Sequence, residues 1–170
     1  MLRVPLAKAH LKRTIRPLYG WTQSTPKSQF LDPAWTNAIP IFPGMAMMKT
    51  TGEAVTLLDA IGTPYGLSAF YEGGEGIYEI SEQGVNACAV WVLAPDAEFE
   101  ILAPAFDDAL AWVEPANGTL MLVHAHTAGA TRGRLCPAGT AGASALPVAK
   151  LIKVNSPTKI TIGGLTGRQA

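Results

Sequence analysis

The chain has 170 residues and a formal net charge of zero, with 48% apolar residues and only 15% charged residues. This length suits one domain or two very small β modules, and the apolar content excludes disorder of the whole chain. No apolar run is long enough for a transmembrane helix, and residues 1–20 lack the apolar core of a signal peptide, which indicates a cytoplasmic setting.

The charged residues are distributed unevenly along the chain. Residues 1–31 and 115–170 each carry six basic side chains and no acidic one, whereas residues 32–114 carry all thirteen acidic side chains and a single lysine. Such asymmetry indicates association with something acidic, such as a neighbouring copy, another protein surface or nucleic acid. The alternative is that the basic ends and the acidic middle pair within one fold.

Residues 1–38 are predicted to form an extended arm. Four prolines interrupt this segment, and proline cannot donate a hydrogen bond to a sheet ladder, so we expect the arm to stay outside the regular sheets. Its aromatic side chains form too much apolar surface to remain in solvent. We therefore expect this arm to contact a partner outside the chain's own β body. The residues expected to make these contacts are Arg13, Arg16, Tyr19, Trp21, Phe30 and Trp35.

From Ile39 onward, short apolar runs punctuated by glycine and proline predict a series of strands. In the strand at 97–102, apolar residues alternate with Glu98 and Glu100, so these two glutamates are predicted to form a solvated acidic face. The predicted strands are 45–49, 54–58, 65–71, 85–93, 97–102, 120–126, 147–154 and 159–162.

One short helix is predicted over Pro104–Val113, because Phe106, Leu110 and Val113 share a helical spacing and proline suits a first turn. Residues 127–144 are predicted to form a long loop. About eight short strands with frequent turns indicate a mainly β fold, a small β-barrel or sandwich of one or two lobes, with at most one or two short helices. The predicted body is residues 39–165, followed by a C-terminal tail, residues 166–170.

The sequence holds no recognised metal or catalytic motif. His124 and His126 lie two apart on a predicted strand and face one side, but a zinc site needs further ligands at a suitable spacing. The glycine-rich segments lack the spacing of a phosphate-binding loop. We therefore expect no enzyme activity, no metal and no cofactor.

The two cysteines, Cys88 and Cys136, cannot form a disulfide framework, and two buried free thiols are favoured over a single bridge. Arg132 and Arg134 lie close to Cys136 in sequence and could lower its pKa, which raises the hypothesis of a nucleophilic cysteine. No general base accompanies this cysteine, so alanine at position 136, or at either histidine, is expected to abolish no reaction.

Two segments carry a family resemblance. Residues 44–71, GMAMMKTTGEAVTLLDAIGTPYGLSAFY, resemble the opening of phage head decoration proteins, in which a Gly-x-x-Met/Val strand is followed by a turn, a Val-x-Leu-x-Asp strand, a Gly-rich turn and Gly-Leu-x-Ala. Residues 133–165, GRLCPAGTAGASALPVAKLIKVNSPTKITIGGL, are similar to the barrel segments of the same proteins. The N-terminal arm is longer than the lambdoid decoration type leads one to expect.

The resemblance implies a structural virion protein that binds the outer capsid surface and stabilises the expanded head by bridging capsomers. Its implied partners are the major capsid protein and further copies of itself in a homotrimer, with assembly in the host cytoplasm. We expect no membrane partner and no direct nucleic-acid binding. The alternatives are another phage structural subunit, such as a minor capsid, head-tail joining or tail protein, and a cellular β-barrel ligand-binding module or enzyme.

Overall fold

The computed structural model describes residues 13–20, 24, 26–32, 35, 39–50, 54–71 and 87–165 of the chain. These residues are mainly β, with helical structure limited to one 3₁₀ turn, Gly129–Thr131. This confirms the predicted fold class. The strands are β1 (Ile15–Tyr19), β2 (Pro26–Leu31), β3 (Ala46–Lys49), β4 (Ala54–Leu57), β5 (Pro64–Ser68), β6 (Ala87–Trp91), β7 (Glu98–Leu102), β8 (Leu122–Ala125), β9 (Leu135–Pro137), β10 (Ala149–Ser156) and β11 (Lys159–Gly163).

The first sheet is a closed barrel in the order β2, β4, β3, β5, β6, with β6 pairing back to β2. Its pairs are antiparallel except for the parallel pair of β2 with β4. Gly66 allows β5 to approach β6 closely, because a Cβ at this position would lie 2.3 Å from the carbonyl oxygen of Trp91. Closure pairs both sides of every strand, so this sheet has no open edge.

The second sheet has six strands in the order β1, β7, β11, β10, β8, β9, all antiparallel, so that β1 and β9 are its edges. One face is apolar and fully buried along its central strands, through Phe99, Ile101, Ile160 and Ile162. This alternation agrees with the period-two pattern of the sequence. The opposite face carries the polar and charged side chains of β7, β10 and β11.

The barrel and the six-stranded sheet pack on one hydrophobic core. Trp91 of β6 meets Phe99 of β7 edge to face, with ring centroids 5.1 Å apart. Arg132, in the loop before β9, donates hydrogen bonds to the barrel carbonyls of Leu57 at 2.6 Å and Leu58 at 3.1 Å. These contacts join the two sheets through both apolar packing and hydrogen bonds.

The prediction that prolines keep residues 1–38 out of the sheets is wrong for the part of this segment that the structure describes. Strand β1 pairs with β7, and β2 pairs with both β4 and β6 in the barrel. Pro17 lies in an edge strand and Pro26 is the first residue of its strand, which are the positions where a sheet accepts proline. The predicted boundary at residue 38 therefore does not separate these strands from the body.

The helix predicted over Pro104–Val113 is also wrong, because these residues form turns and bends. Phe106 makes a parallel β-bridge with Leu135, and its ring packs edge-on against Trp112 with centroids 5.4 Å apart. Phe106 is apolar because it is fully buried against the sheet, and this burial requires no helix. Val113, which a helix would have placed on the same buried face, is 62% exposed. The predicted loop at 127–144 likewise contains β9, whose three residues are too few to show a strand pattern.

Candidate interaction surface

Four of the six residues predicted to contact a partner lie on the surface of the described structure. Arg13 precedes β1, and Arg16 and Tyr19 lie within it; all three are exposed. Phe30 projects outward from the barrel strand β2 and is 52% exposed, while Tyr19 is 70% exposed. Phe30 is exposed because side chains alternate along a strand: Gln29 and Leu31 on either side of it are buried, and its own ring points outward.

The two tryptophans of the predicted arm have different positions. Trp35 is partly buried and packs against the chain's own hydrophobic core. It therefore contributes to the fold and is only partly exposed. Trp21 lies outside the described residues.

Glu100 links β1 to the charged face of the six-stranded sheet. Its Oε1 lies 3.2 Å from Arg16 Nη2 and 3.8 Å from Lys159 Nζ, and these cations come from the two strands that flank β7. Glu100 is only 9% exposed. The prediction of a solvated acidic face is therefore wrong at Glu100, because β1 pairs with β7 and brings Arg16 beside this carboxylate.

A groove of about 640 Å³ runs between the edge strand β1 and the barrel. No local sequence pattern indicates this groove, because it is formed by residues from well-separated parts of the chain, between 13 and 102. Apolar side chains and prolines dominate its surface, and two arginines and one glutamate supply the charge. It is lined by Arg13, Ile15, Arg16, Pro17, Pro26, Pro43, Ala69, Ala89, Trp91, Glu100 and Leu102.

Both candidate metal-binding histidines have partners within the fold. His126 Nε2 lies 2.9 Å from Asp107 Oδ2, and His124 Nδ1 lies 2.7 Å from the Ser144 carbonyl oxygen. Across the described ranges, no group of three or more His, Cys, Asp or Glu side chains is arranged to hold a metal ion. These contacts connect β8 and the residue after it to the loops that contain Ser144 and Asp107.

The cysteines are buried free thiols, as predicted. Burial raises the pKa of Cys88 to about 12. Burial also raises the pKa of Cys136 to about 11, against the opposing hydrogen bond with Thr140 and with a further upward contribution from Asp107. The prediction that neighbouring arginines lower this pKa is therefore wrong, and Arg132 donates instead to barrel carbonyls. Both groups are protonated thiols at neutral pH, which is the unreactive form.

No helix in the described part of the chain combines the length and apolar character needed to cross a membrane. A family model described as phage cement protein matches residues 1–167, whereas no curated protein and no solved structure gives a significant match. This confirms the resemblance to phage head decoration proteins. Because the match extends over nearly the whole chain, this protein belongs to the phage cement protein family, and it is a capsid-stabilising structural protein of a phage.

Proposed function

We propose that this cement protein binds the outer surface of the phage head, contacts the major capsid protein and stabilises the expanded shell by bridging adjacent capsomers. The observation that carries this proposal is the family match over residues 1–167. The surface chemistry supports it, since aromatic side chains and arginine are enriched in protein interfaces. Here Tyr19 and Phe30 are exposed together with Arg13 and Arg16.

The proposed assembly is a homotrimer on the capsid exterior, formed after the chain is made in the host cytoplasm. Many copies acting together would hold a shell firmly even if each contact were modest. We propose no catalytic role, no cofactor and no direct binding of nucleic acid or membrane. A place elsewhere in the virion, such as the head-tail joint, is the competing proposal.

The direct test is binding of purified protein to expanded heads that lack it, measured by co-sedimentation and located by cryo-electron microscopy. We expect copies distributed over the shell at local symmetry axes, and heads that resist heat better once coated. Density confined to the head-tail vertex would instead support the competing assignment.

The aromatic part of the surface is tested by Phe30→Ala and Tyr19→Ala. Burial of an aromatic ring on a partner contributes roughly 1.5–3 kcal/mol of binding free energy. The affinity of each variant for heads should therefore fall by about tenfold or more. Leu146→Ala is the matched control, because Leu146 is 50% exposed, close to the 52% of Phe30, and is not assigned to the interface. Equal binding by all three variants would remove Tyr19 and Phe30 from the interface.

A further inference from the structure

Ile15 and Pro17 of the edge strand β1 both line the groove. β1 is the outermost strand of the six-stranded sheet, and no described strand pairs with its other side. An unpaired edge offers backbone N–H and C=O groups to any extended chain that lies beside it. The groove supplies space for such a chain, since residues of β1 and β7 line one side and barrel residues line the other.

Strand register indicates which backbone groups of β1 point away from β7. The Leu102 N–H donates to the Thr14 carbonyl at 2.8 Å, so in this antiparallel ladder Thr14 and Arg16 bond toward β7. The backbone groups of Ile15 and Pro17 alternate with them and point the other way, and both residues line the groove. One N–H, from Ile15, and two carbonyls are therefore available to an incoming strand, because proline lacks an N–H.

The charge of the groove favours an acidic occupant. Arg13 and Arg16 lie on its lining, and the one carboxylate there, Glu100, is already matched by Arg16 and Lys159 at 3.2 and 3.8 Å. Arg13 is exposed and forms no ion pair with any described carboxylate. An arginine is well suited to pair with a carboxylate of a partner chain.

The walls of the groove favour a polypeptide over a nucleic acid. They consist mainly of prolines, alanines and the Trp91 ring, which suit the side chains of an extended peptide. The β1 edge groups match the hydrogen-bonding pattern of a peptide backbone, as in recognition by strand addition. Nucleic acid would instead be expected to need many more cations along the groove.

We infer that this groove binds an extended, acidic segment of the capsid shell protein, which adds as a strand to the edge of β1. The inference rests on the proposed function, because it names the docking site for the shell. A second copy of this chain and nucleic acid are the alternatives that the test must distinguish.

The test measures binding to expanded heads by co-sedimentation for Arg13→Glu, Arg13→Lys and the control Lys153→Glu. Lys153 is exposed on β10, away from the groove lining, and its reversal changes the net charge equally. We expect Arg13→Glu to weaken binding about tenfold or more, with Arg13→Lys and Lys153→Glu close to wild type. Binding by wild type should also weaken as salt increases.

A second variant and a density map test the groove independently of charge. Ala69→Trp fills the groove without changing charge and should also prevent binding, and a thermal melt shows whether each variant is folded. In a cryo-electron microscopy map of coated heads, we expect a strand of shell protein beside β1.

The outcomes separate the inference from the proposed function. If wild type coats heads but Arg13→Glu and folded Ala69→Trp coat them equally well, the groove assignment is overturned and the proposed function stands. If the groove variants instead lose self-association or DNA binding while they still coat heads, the occupant has been misidentified and the inference fails. If wild type binds no heads at all, the proposed function fails, and the docking site fails with it.

Discussion

Asp107 organises the segment that follows β7 through hydrogen bonds of both its backbone and its side chain. Its N–H donates to the Leu135 carbonyl at 2.8 Å and its carbonyl accepts from Trp112 Nε1 at 2.8 Å. Its carboxylate accepts from the Ala109 N–H at 3.2 Å and contacts His126 Nε2 at 2.9 Å. The backbone and side chain of Asp107 thus hold this segment against the sheet. The bond from the Ala109 N–H to the carboxylate forms an Asx turn, which takes the place of helical hydrogen bonds.

Replacing His126 with alanine should therefore destabilise the protein. The side chains of His126 and Asp107 are each only 13% exposed, so the variant leaves a largely buried carboxylate without its imidazole partner. Loss of such a partner costs about 1–3 kcal/mol of unfolding free energy, measurable by urea titration. The matched control is Asp108→Ala at the exposed neighbouring position, for which we expect a change within about 0.5 kcal/mol. Equal effects of the two substitutions would show that the pair contributes nothing specific.

The buried thiols should resist alkylation in the folded protein. At pH 8, raising a thiol pKa from 9.0 to about 11, as for Cys136, lowers the thiolate fraction about a hundredfold, and the thiolate is the reactive form. Iodoacetamide labelling followed by mass spectrometry should be slow in buffer and fast in urea. Rapid labelling of native Cys88 or Cys136 would contradict the burial described above.

The same pKa shifts predict the sign of a pH effect on stability. The folded state favours the protonated thiols, so this contribution is fully present below pH 9.0 and is lost as the pH rises toward about 11 for Cys136 and about 12 for Cys88. Urea midpoints measured across this alkaline range should fall less in a Cys88→Ala, Cys136→Ala variant than in wild type. A parallel fall in both proteins would mean that other groups account for the effect.

Among the secondary-structure elements, β1 and β2 change the interpretation of the N-terminal segment. β2 closes the barrel by pairing with β4 on one side and β6 on the other. β1 covers the edge of β7 and brings Arg16 to Glu100. The N-terminal segment thus supplies strands to both sheets as well as the candidate surface.

Truncation at two points should separate these roles. Removal of residues 1–12 deletes no described strand and should leave a cooperative thermal transition and a β-type circular dichroism spectrum. Removal of residues 1–36 deletes β1 and β2, opens the barrel between β4 and β6, and should abolish cooperative unfolding. A folded protein after the longer deletion would contradict the strand pairing.

At the scale of the whole molecule, the barrel and the six-stranded sheet share one core. Trp91 and Phe99 pack across the junction, and Arg132 donates hydrogen bonds to two barrel carbonyls. Neither sheet can lose its partner without exposing buried apolar surface to water. This is the arrangement expected of one cooperative unit.

We therefore expect a single unfolding transition. In differential scanning calorimetry the calorimetric and van't Hoff enthalpies should agree, which is the test of a two-state transition. Near-ultraviolet circular dichroism, which reports on the aromatic junction, should change at the same temperature as the far-ultraviolet signal. Two separate transitions would show that the sheets unfold independently.

Local patterns in the sequence were sufficient to predict the fold class, most of the strands and the family. Glycine and proline turns and period-two alternation predicted the mainly β fold and strands near all eight predicted ranges, since turns and alternation depend on neighbouring residues. The motifs at 44–71 and 133–165 indicated the phage decoration family. Only the tertiary structure decided that Pro17 and Pro26 lie in strands, that Glu100 is covered by Arg16 and Lys159, and that a groove forms beside β1. The physical reason is that each of these features depends on strands that are far apart in sequence, and strand pairing across such distances leaves no local pattern.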